Sequence, residues 1–535
     1  MKSTRHLFMF MLLILSVFII GCASEPSESD VEDSNDDAAG EGTEDSTGGD
    51  LIISSLSEAV SLDVHGSNDT YSSNVASNIY ETLISSDENL ELQPGLALSW
   101  EQLEDTVWEF KLREGVTFHD GSDFNADVVK ANIERVLDPE IGSQRAFLYD
   151  MISDVNVIDE YTVQLITEYP FAPLPAHIAH DGGGIMSAEM IQKDYDAMEE
   201  GANPGTVINE KPIGTGYFKF DEWQSGQYIR LSRNDDYWGE PAKLDTVTFK
   251  VVPEDLTRIA ELETGDTHIS DPLNPNDFER VNQTDGLFVD ATESVALIYL
   301  GFNTEKEPFD DPRVRKAFFM AVNKEEIVEG IYNGIGLTAK SPLAPKVFGY
   351  DDNISEIEYD PEAAKELLAE AGYEDGLSVT FWTSDERERE DIAAYVQASL
   401  EEIGVDASIQ VSEWGAFLDQ TANGEHEMFI LSWSTVTGDA DYGLYSLFHS
   451  SNVGASGNRT FTKDDSLDEI LAQARRSVDE DERLELYKEA QNALADEAII
   501  LPIIHQDYLL GVNESVKGLW QHPTRKLRLH DVTLE

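Results

Sequence analysis

Apolar positions recur along this chain with two periods. Thr106–Leu112 (TVWEFKL) alternates with period two and carries Val107, Trp108, Phe110 and Leu112. Tyr161–Thr167 and Thr246–Val252 follow the same rule, so strands are predicted at all three. Glycine-containing turns such as Asp120-Gly121 and Arg113-Glu114-Gly115 bound them. Elsewhere the period lengthens to that of a helix. After Asp360-Pro361 come Ala364, Leu367, Leu368 and Ala371, with Gly372 as the stop. Aspartate is a good N-cap, proline fits the first helical position, and glycine suits the left-handed C-terminal residue. Asp311-Pro312 opens a second helix by the same device, with its stripe at Val314, Ala317, Phe318, Ala321 and Val322.

A third unit carries more information about the fold. Ser378–Trp382 reads as a strand, Glu390–Ile403 as a helix ended by Gly404, and Val405–Val411 as a second strand. A β-α-β succession predicts parallel strands with a right-handed crossover. Another helix is expected over Phe417–Asn423 and a buried strand over Met428–Trp433. The second half therefore reads as α/β. The first half reads as richer in strands, with hairpins and helical insertions.

The first residues follow a different pattern. Lys2 and Arg5 precede an uncharged apolar run from Leu7 to Ile20, and Ile19-Ile20-Gly21-Cys22 closes it. Such a run is a secretory signal, shorter than a comfortable membrane span. Cys22 is the only cysteine, so no disulfide framework exists; its place after a small residue at the end of the run predicts lipidation. Residues 23–50 are acidic, rich in Ser and Gly, and nearly free of apolar side chains. They are expected to form a disordered tether. The body that follows is too long for one core, so two or more lobes are expected.

Composition narrows function by exclusion. The formal net charge is −69, from 36 Lys and Arg against 105 Asp and Glu. A nucleic-acid surface needs clustered cations to neutralise phosphates, and this chain offers the opposite. The acidity reads as a means of solvation in a salty or alkaline exterior.

Catalytic patterns are missing. The sequence has no Gly-x-Ser-x-Gly elbow, no His-Glu-x-x-His and no phosphate-binding Gly-x-x-x-x-Gly-Lys-Ser/Thr loop. Gly214-Thr215-Gly216 starts like a dinucleotide fingerprint, but it lacks the third glycine and runs into a strand. His177 and His180 have ligand spacing without a secured third partner and read as a solvent-side pair. Polar and aromatic residues gather instead at predicted strand ends. Trp433 to Tyr442 leaves one strand through Gly438-Asp439-Ala440-Asp441, Trp382 to Arg389 leaves another, and Trp414 follows a third. Ligands of α/β lobes sit outside the carboxyl ends of strands. Asp439 or Asp441 facing Arg387 or Arg389 across indoles would suit a zwitterion.

A series of motifs in order carries a resemblance. Gln93-Pro94-Gly95-Leu96-Ala97 leads to Trp108-Glu109-Phe110 and Phe118-His119-Asp120-Gly121. Pro212-Ile213-Gly214-Thr215-Gly216-Tyr217-Phe218, Asn234-Asp235-Asp236-Tyr237-Trp238-Gly239, Gly301-Phe302-Asn303 and the two Asp-Pro helix starts follow. From Leu51 to Glu535 the chain resembles the family 5 extracytoplasmic solute-binding proteins, the peptide, nickel and opine receptors of ABC importers. The resemblance implies an α/β, two-lobed, type II periplasmic-binding-protein-like flytrap without catalytic chemistry or cofactor. It implies an N-terminal lobe made of 51–80, 213–301 and 506–535, a subdomain inserted at 81–212, and a C-terminal lobe over 302–505. Within the family the chain resembles dipeptide and glutathione receptors. Carried over from dipeptide receptors, Asp439 would bind a peptide amine, and Arg387 or Arg389 its carboxylate. Arg145 matches an arginine that contacts carboxylates in nickel-chelate receptors, where it would suit a ligand with two carboxylates such as glutathione.

The two readings together give a binding set of Asp439, Asp441, Arg387, Arg389, Trp433, Trp414, Tyr442, Arg145 and Asn68. The expected function is capture of a short peptide or glutathione for an ABC permease and its ATPase subunits. The alternatives are a receptor for a nickel or other metal chelate, and a secreted hydrolase on the same scaffold. The expected setting is the outer face of the cell membrane, with a monomer anchored through a lipid on Cys22 and no nucleic-acid partner.

Overall fold

The computed structural model describes residues 48–454 and 457–535. The apolar run, Cys22 and nearly all of the acidic tether lie outside the described residues. Among the described residues no helix is long and apolar enough to cross a membrane.

Three sheets organise the rest. A seven-stranded sheet is ordered Leu287–Glu293, Asp507–Asn513, Ile269–Asp271, Asp50–Ser55, Thr246–Val251, Tyr228–Arg233, Phe218–Gln224. A six-stranded sheet is ordered Leu337–Thr338, Ile500–His505, Ala296–Phe302, Met428–Ser434, Leu377–Ser384, Val405–Ser412. A four-stranded antiparallel sheet joins Ala97–Glu104, Val107–Leu112, Thr162–Thr167 and Ile152–Asp159. The first two sheets hold strands from distant parts of the sequence, so local pattern could announce the strands but not their order.

The predicted local devices form. Asp360 accepts a hydrogen bond from the Ala363 amide at 3.0 Å and caps Pro361–Glu370. Asp311 does the same for Arg313 at 2.8 Å and opens Pro312–Met320. Gly372 and Gly404 have φ of 99° and 86°, where a Cβ would be strained. The β-α-β unit is Leu377–Ser384, Arg387–Glu402 and Val405–Ser412, with its strands parallel and paired Leu377 to Val405. The sheet as a whole is mixed, because Ala296–Phe302 runs antiparallel to both neighbours. Every residue of that central strand is buried, which is why it shows no alternation.

The chain passes between the two large sheets twice, each time over one or two residues. Strand Leu287–Glu293 ends two residues before Ala296, and His505 is separated from Asp507 only by Gln506. The two crossings touch, since the Ser294 hydroxyl donates to the Gln506 carbonyl.

The segment carrying the four-stranded sheet is tied to the seven-stranded sheet's lobe by a buried charge cluster. Arg135, on helix Ala126–Leu137, is fully buried; it donates to both Asp63 oxygens at 3.0 and 2.7 Å and to Asp194 at 2.9 Å. Removal of one member would leave an uncompensated charge in a dry site. The Gly214-Thr215-Gly216 motif serves the same junction. A Cβ on Gly214 would lie 2.1 Å from the Ile79 carbonyl oxygen, and one on Gly216 would lie 2.7 Å from that of Asn78. The glycines thus allow two backbones to meet, while Thr215 donates to Glu81 at 2.7 Å.

Candidate functional site: a cleft between the two large sheets

A cavity of about 820 Å³ opens between the seven-stranded and six-stranded sheets, beside the crossings. It falls in the size range of small-ligand sites. Ile298, Tyr332, Arg389 and Ser432 line one face; Tyr71, Asp271, Gln521 and Arg525 line the other; Tyr508 and Leu509 form the floor at the crossing.

Arg389 stands on the first face because the crossover helix starts where strand Leu377–Ser384 ends, and this arginine lies in its first turn. It is only 7% exposed. Its guanidinium donates to the Ser384 hydroxyl at 3.2 Å and the Ser432 hydroxyl at 2.8 Å. Trp414 supports it from behind, its ring centre 4.9 Å from the guanidinium carbon. The one carboxylate against it, Glu386 at 3.2 Å, is half in solvent. A buried cation held by neutral hydroxyls keeps much of its charge for a ligand. Arg387, two residues earlier, is 77% exposed and lies 3.9 Å from Asp391. It does not line the cleft.

A second cation faces the same cavity. Arg525 lies between the rings of Tyr71 and Tyr508, at 5.4 and 5.7 Å, with Asp271 at 3.4 Å. Burial opposes its charge, but Asp271 and the two phenols more than offset this and raise its pKa. Sequence reading missed Arg525; its one signal is the cationic run Arg525, Lys526, Arg528 in so acidic a chain.

The aspartates take a different position. Asp439 accepts from Arg483 Nη2 on both oxygens at 2.8 Å, and Asp441 forms a two-point pair with Arg475 at 3.0 and 2.8 Å. Both acids are buried, and neither lines the large cleft. They fasten helices Glu480–Asp496 and Asp465–Arg476 to the end of strand Met428–Ser434. The acid expected to face an arginine across one cleft is thus neutralised from its own side, and Asp439 faces a second cavity.

The other candidates are distributed as follows. Tyr442 is stacked between Trp433 (5.2 Å) and Phe147 (6.1 Å), a ladder that joins the strand end to the segment carrying the four-stranded sheet. Arg145 is buried and spends its donors on the Ser67 carbonyl, the Ser73 hydroxyl and Asp181, all within 3.1 Å. Asn68 is exposed and does not line the cleft. The expectation of a solvent-side histidine pair is corrected, for His177 and His180 are 4% and 3% exposed. His177 lies edge-on to Phe171 with Nδ1 2.9 Å from the Leu148 carbonyl, and burial holds its pKa below the usual range. Burial lowers His180 to about 3. Among the described residues, no group of three or more His, Cys, Asp or Glu is placed to hold a metal ion.

Comparison with known proteins decides the family. The model of the bacterial extracellular solute-binding proteins, family 5, matches residues 91–455. The chain belongs to that family. Relatives of this family 5 protein include the dipeptide-binding protein of Escherichia coli strain K12, 33% identical over 470 residues, 83% of this chain and 86% of that one. The glutathione-binding protein GsiB of the same strain is 30% identical over 496 residues, 91% of this chain and 94% of that one. Among solved structures, the periplasmic binding protein DppA of Helicobacter pylori in complex with peptide STSA matches with a TM-score of 0.78 and 31% identity, covering 91% of this chain and 98% of its own. The two-lobed, type II periplasmic-binding fold and the role of extracellular solute binder follow from this membership.

Proposed function

We propose that this family 5 protein captures short peptides, glutathione among them, in the large cleft and passes them to an ABC permease without chemical change. The observation that carries the reading is Arg389, a buried cation aimed into the cleft from a strand end and held by two hydroxyls. Such a group recognises a carboxylate with both geometry and charge. Arg525 on the opposite face offers a second anchor, which a ligand with two carboxylates would use. The lobes, taken as 51–80 with 213–301 and 506–535 on one side and 302–505 on the other, would then close over the cargo about the two crossings. Peptide-binding and glutathione-binding relatives support the cargo class.

The test is a thermal-shift screen of the purified protein with dipeptides, tripeptides, reduced glutathione and nickel with free histidine. A ligand at 100 times its dissociation constant stabilises by about 2.7 kcal/mol. Stabilisation by peptides or glutathione is expected. Stabilisation only by the nickel–histidine mixture would replace this reading with a chelate receptor, and cleavage of the peptides on incubation would replace it with a hydrolase.

The tie to the cell surface rests on Cys22, which lies outside the described residues. Two acyl chains on that cysteine would anchor the protein, as one alone binds a bilayer only weakly. The Cys22→Ser chain is expected in the medium and the parent chain in the membrane fraction. Retention of the serine form on membranes would remove the anchor from the reading.

A further inference from the structure

Six carboxylates line the large cleft, and five of them are already answered. Asp271 accepts from Asn74 at 3.1 Å and faces Arg525 at 3.4 Å. Glu388 accepts from Asn274 at 2.8 Å. Glu386 pairs with Arg389 and Asp255 with Arg258, and Glu254 is exposed to water.

The sixth is Asp507. It is half-buried at the start of strand Asp507–Asn513, directly after the crossing at Gln506. Among the described residues no group donates to its carboxylate and no cation forms an ion pair with it. Across the sheet it is in register with Glu293, whose own carboxylate is 76% exposed beside Lys346. Burial first, and then the like charge of Glu293, raise the Asp507 pKa; Lys346 opposes them without cancelling them. A cation placed on this carboxylate would relieve both costs. Arg389 lines the same cavity. The cleft thus presents one cation and one carboxylate that neighbouring side chains leave largely open, and these are complementary to the two charges at the ends of a free peptide.

We infer that Asp507 binds the α-amino group of the cargo, as Arg389 binds its carboxylate. The inference rests on the peptide reading of the cleft. It gives the amine a partner that Asp439 and Asp441, spent on Arg483 and Arg475, do not supply. The cargo class narrows to peptides with a free amino group at one end, which includes glutathione through its γ-glutamyl residue.

Calorimetric titration of the purified protein and its Asp507→Asn variant tests this, with alanylphenylalanine, reduced glutathione and the N-acetyl form of each. Acetylation is expected to weaken binding to the parent by about tenfold or more. Asp507→Asn removes the charge and keeps the shape, and is expected to weaken the free-amine ligands by a similar factor, with little further loss on acetylation. Unchanged affinity in the variant, an equal acetylation penalty in parent and variant, or equal affinity of the parent for free and acetylated forms would overturn the assignment and leave the peptide reading standing. Binding of neither ligand by the parent would remove the peptide reading, and this inference with it.

Discussion

Arg389→Ala is expected to lower the affinity for a short peptide or glutathione by two to three orders of magnitude, with Arg387→Ala within about twofold of the parent. The magnitude follows from the cost of leaving one member of a buried charge pair without its partner, about 3–5 kcal/mol, at 1.4 kcal/mol per tenfold. The contrast follows from position. Arg389 lines the cleft and is buried, while Arg387, two residues away, is 77% exposed. Isothermal titration of the two variants with the same ligand is the measurement. Arg389→Lys belongs beside them: a point charge replaces the planar fork, so charge returns without the geometry and affinity recovers only in part. Equal affinity in Arg387→Ala and Arg389→Ala would remove Arg389 from the site.

Asp441→Asn is expected to destabilise the fold by about 3 kcal/mol or more near neutral pH. It leaves Arg475, only 15% exposed and packed against Phe171 and Tyr445 with ring centres 5.2 and 3.4 Å away, without its countercharge. The effect depends on pH with a definite sign. Burial alone would raise the Asp441 pKa, but the charge and hydrogen bonds of Arg475 override it and hold the pKa below the usual carboxylate value. The pair therefore contributes fully above the unfolded pKa, about 4, and its contribution is lost as pH falls through the lower folded value. Urea midpoints followed by tryptophan fluorescence should show a wide gap between parent and variant at pH 7, narrowing below about pH 4. A gap of the same width at both pH values would mean that the aspartate acts through shape and not through charge.

What could be read from the sequence follows the range of the interactions involved. The N-caps at Asp311 and Asp360 bond two or three residues away, so the caps, the helices and the β-α-β unit stand in the local pattern. The arginine that lines the cleft could be placed to within two residues because it follows a strand end. The role of the acids could not. Asp439 meets Arg483 and Asp441 meets Arg475 across 44 and 34 residues, in helices whose own pattern says only that they are amphipathic. An aspartate in a polar loop reads the same whether solvent, ligand or a remote arginine neutralises it. Asp271 and Arg525 are separated by 254 residues, and the second face of the cleft was invisible for that reason. The two histidines show the converse: their spacing was legible, but their burial depends on Phe171, Leu148 and Arg145, contacts that only the assembled segment makes.

The strand Asp507–Asn513 has a bearing on how the molecule comes into being. It lies inside the seven-stranded sheet, between Leu287–Glu293 and Ile269–Asp271, and pairs with both. Until it emerges from the ribosome, Leu287–Glu293 has no neighbour, and the first-made lobe has an unfilled slot. The six-stranded sheet waits almost as long, since Leu337–Thr338 and Ala296–Phe302 both pair with Ile500–His505, but it is complete at His505. The lobe synthesised first is therefore the lobe completed last.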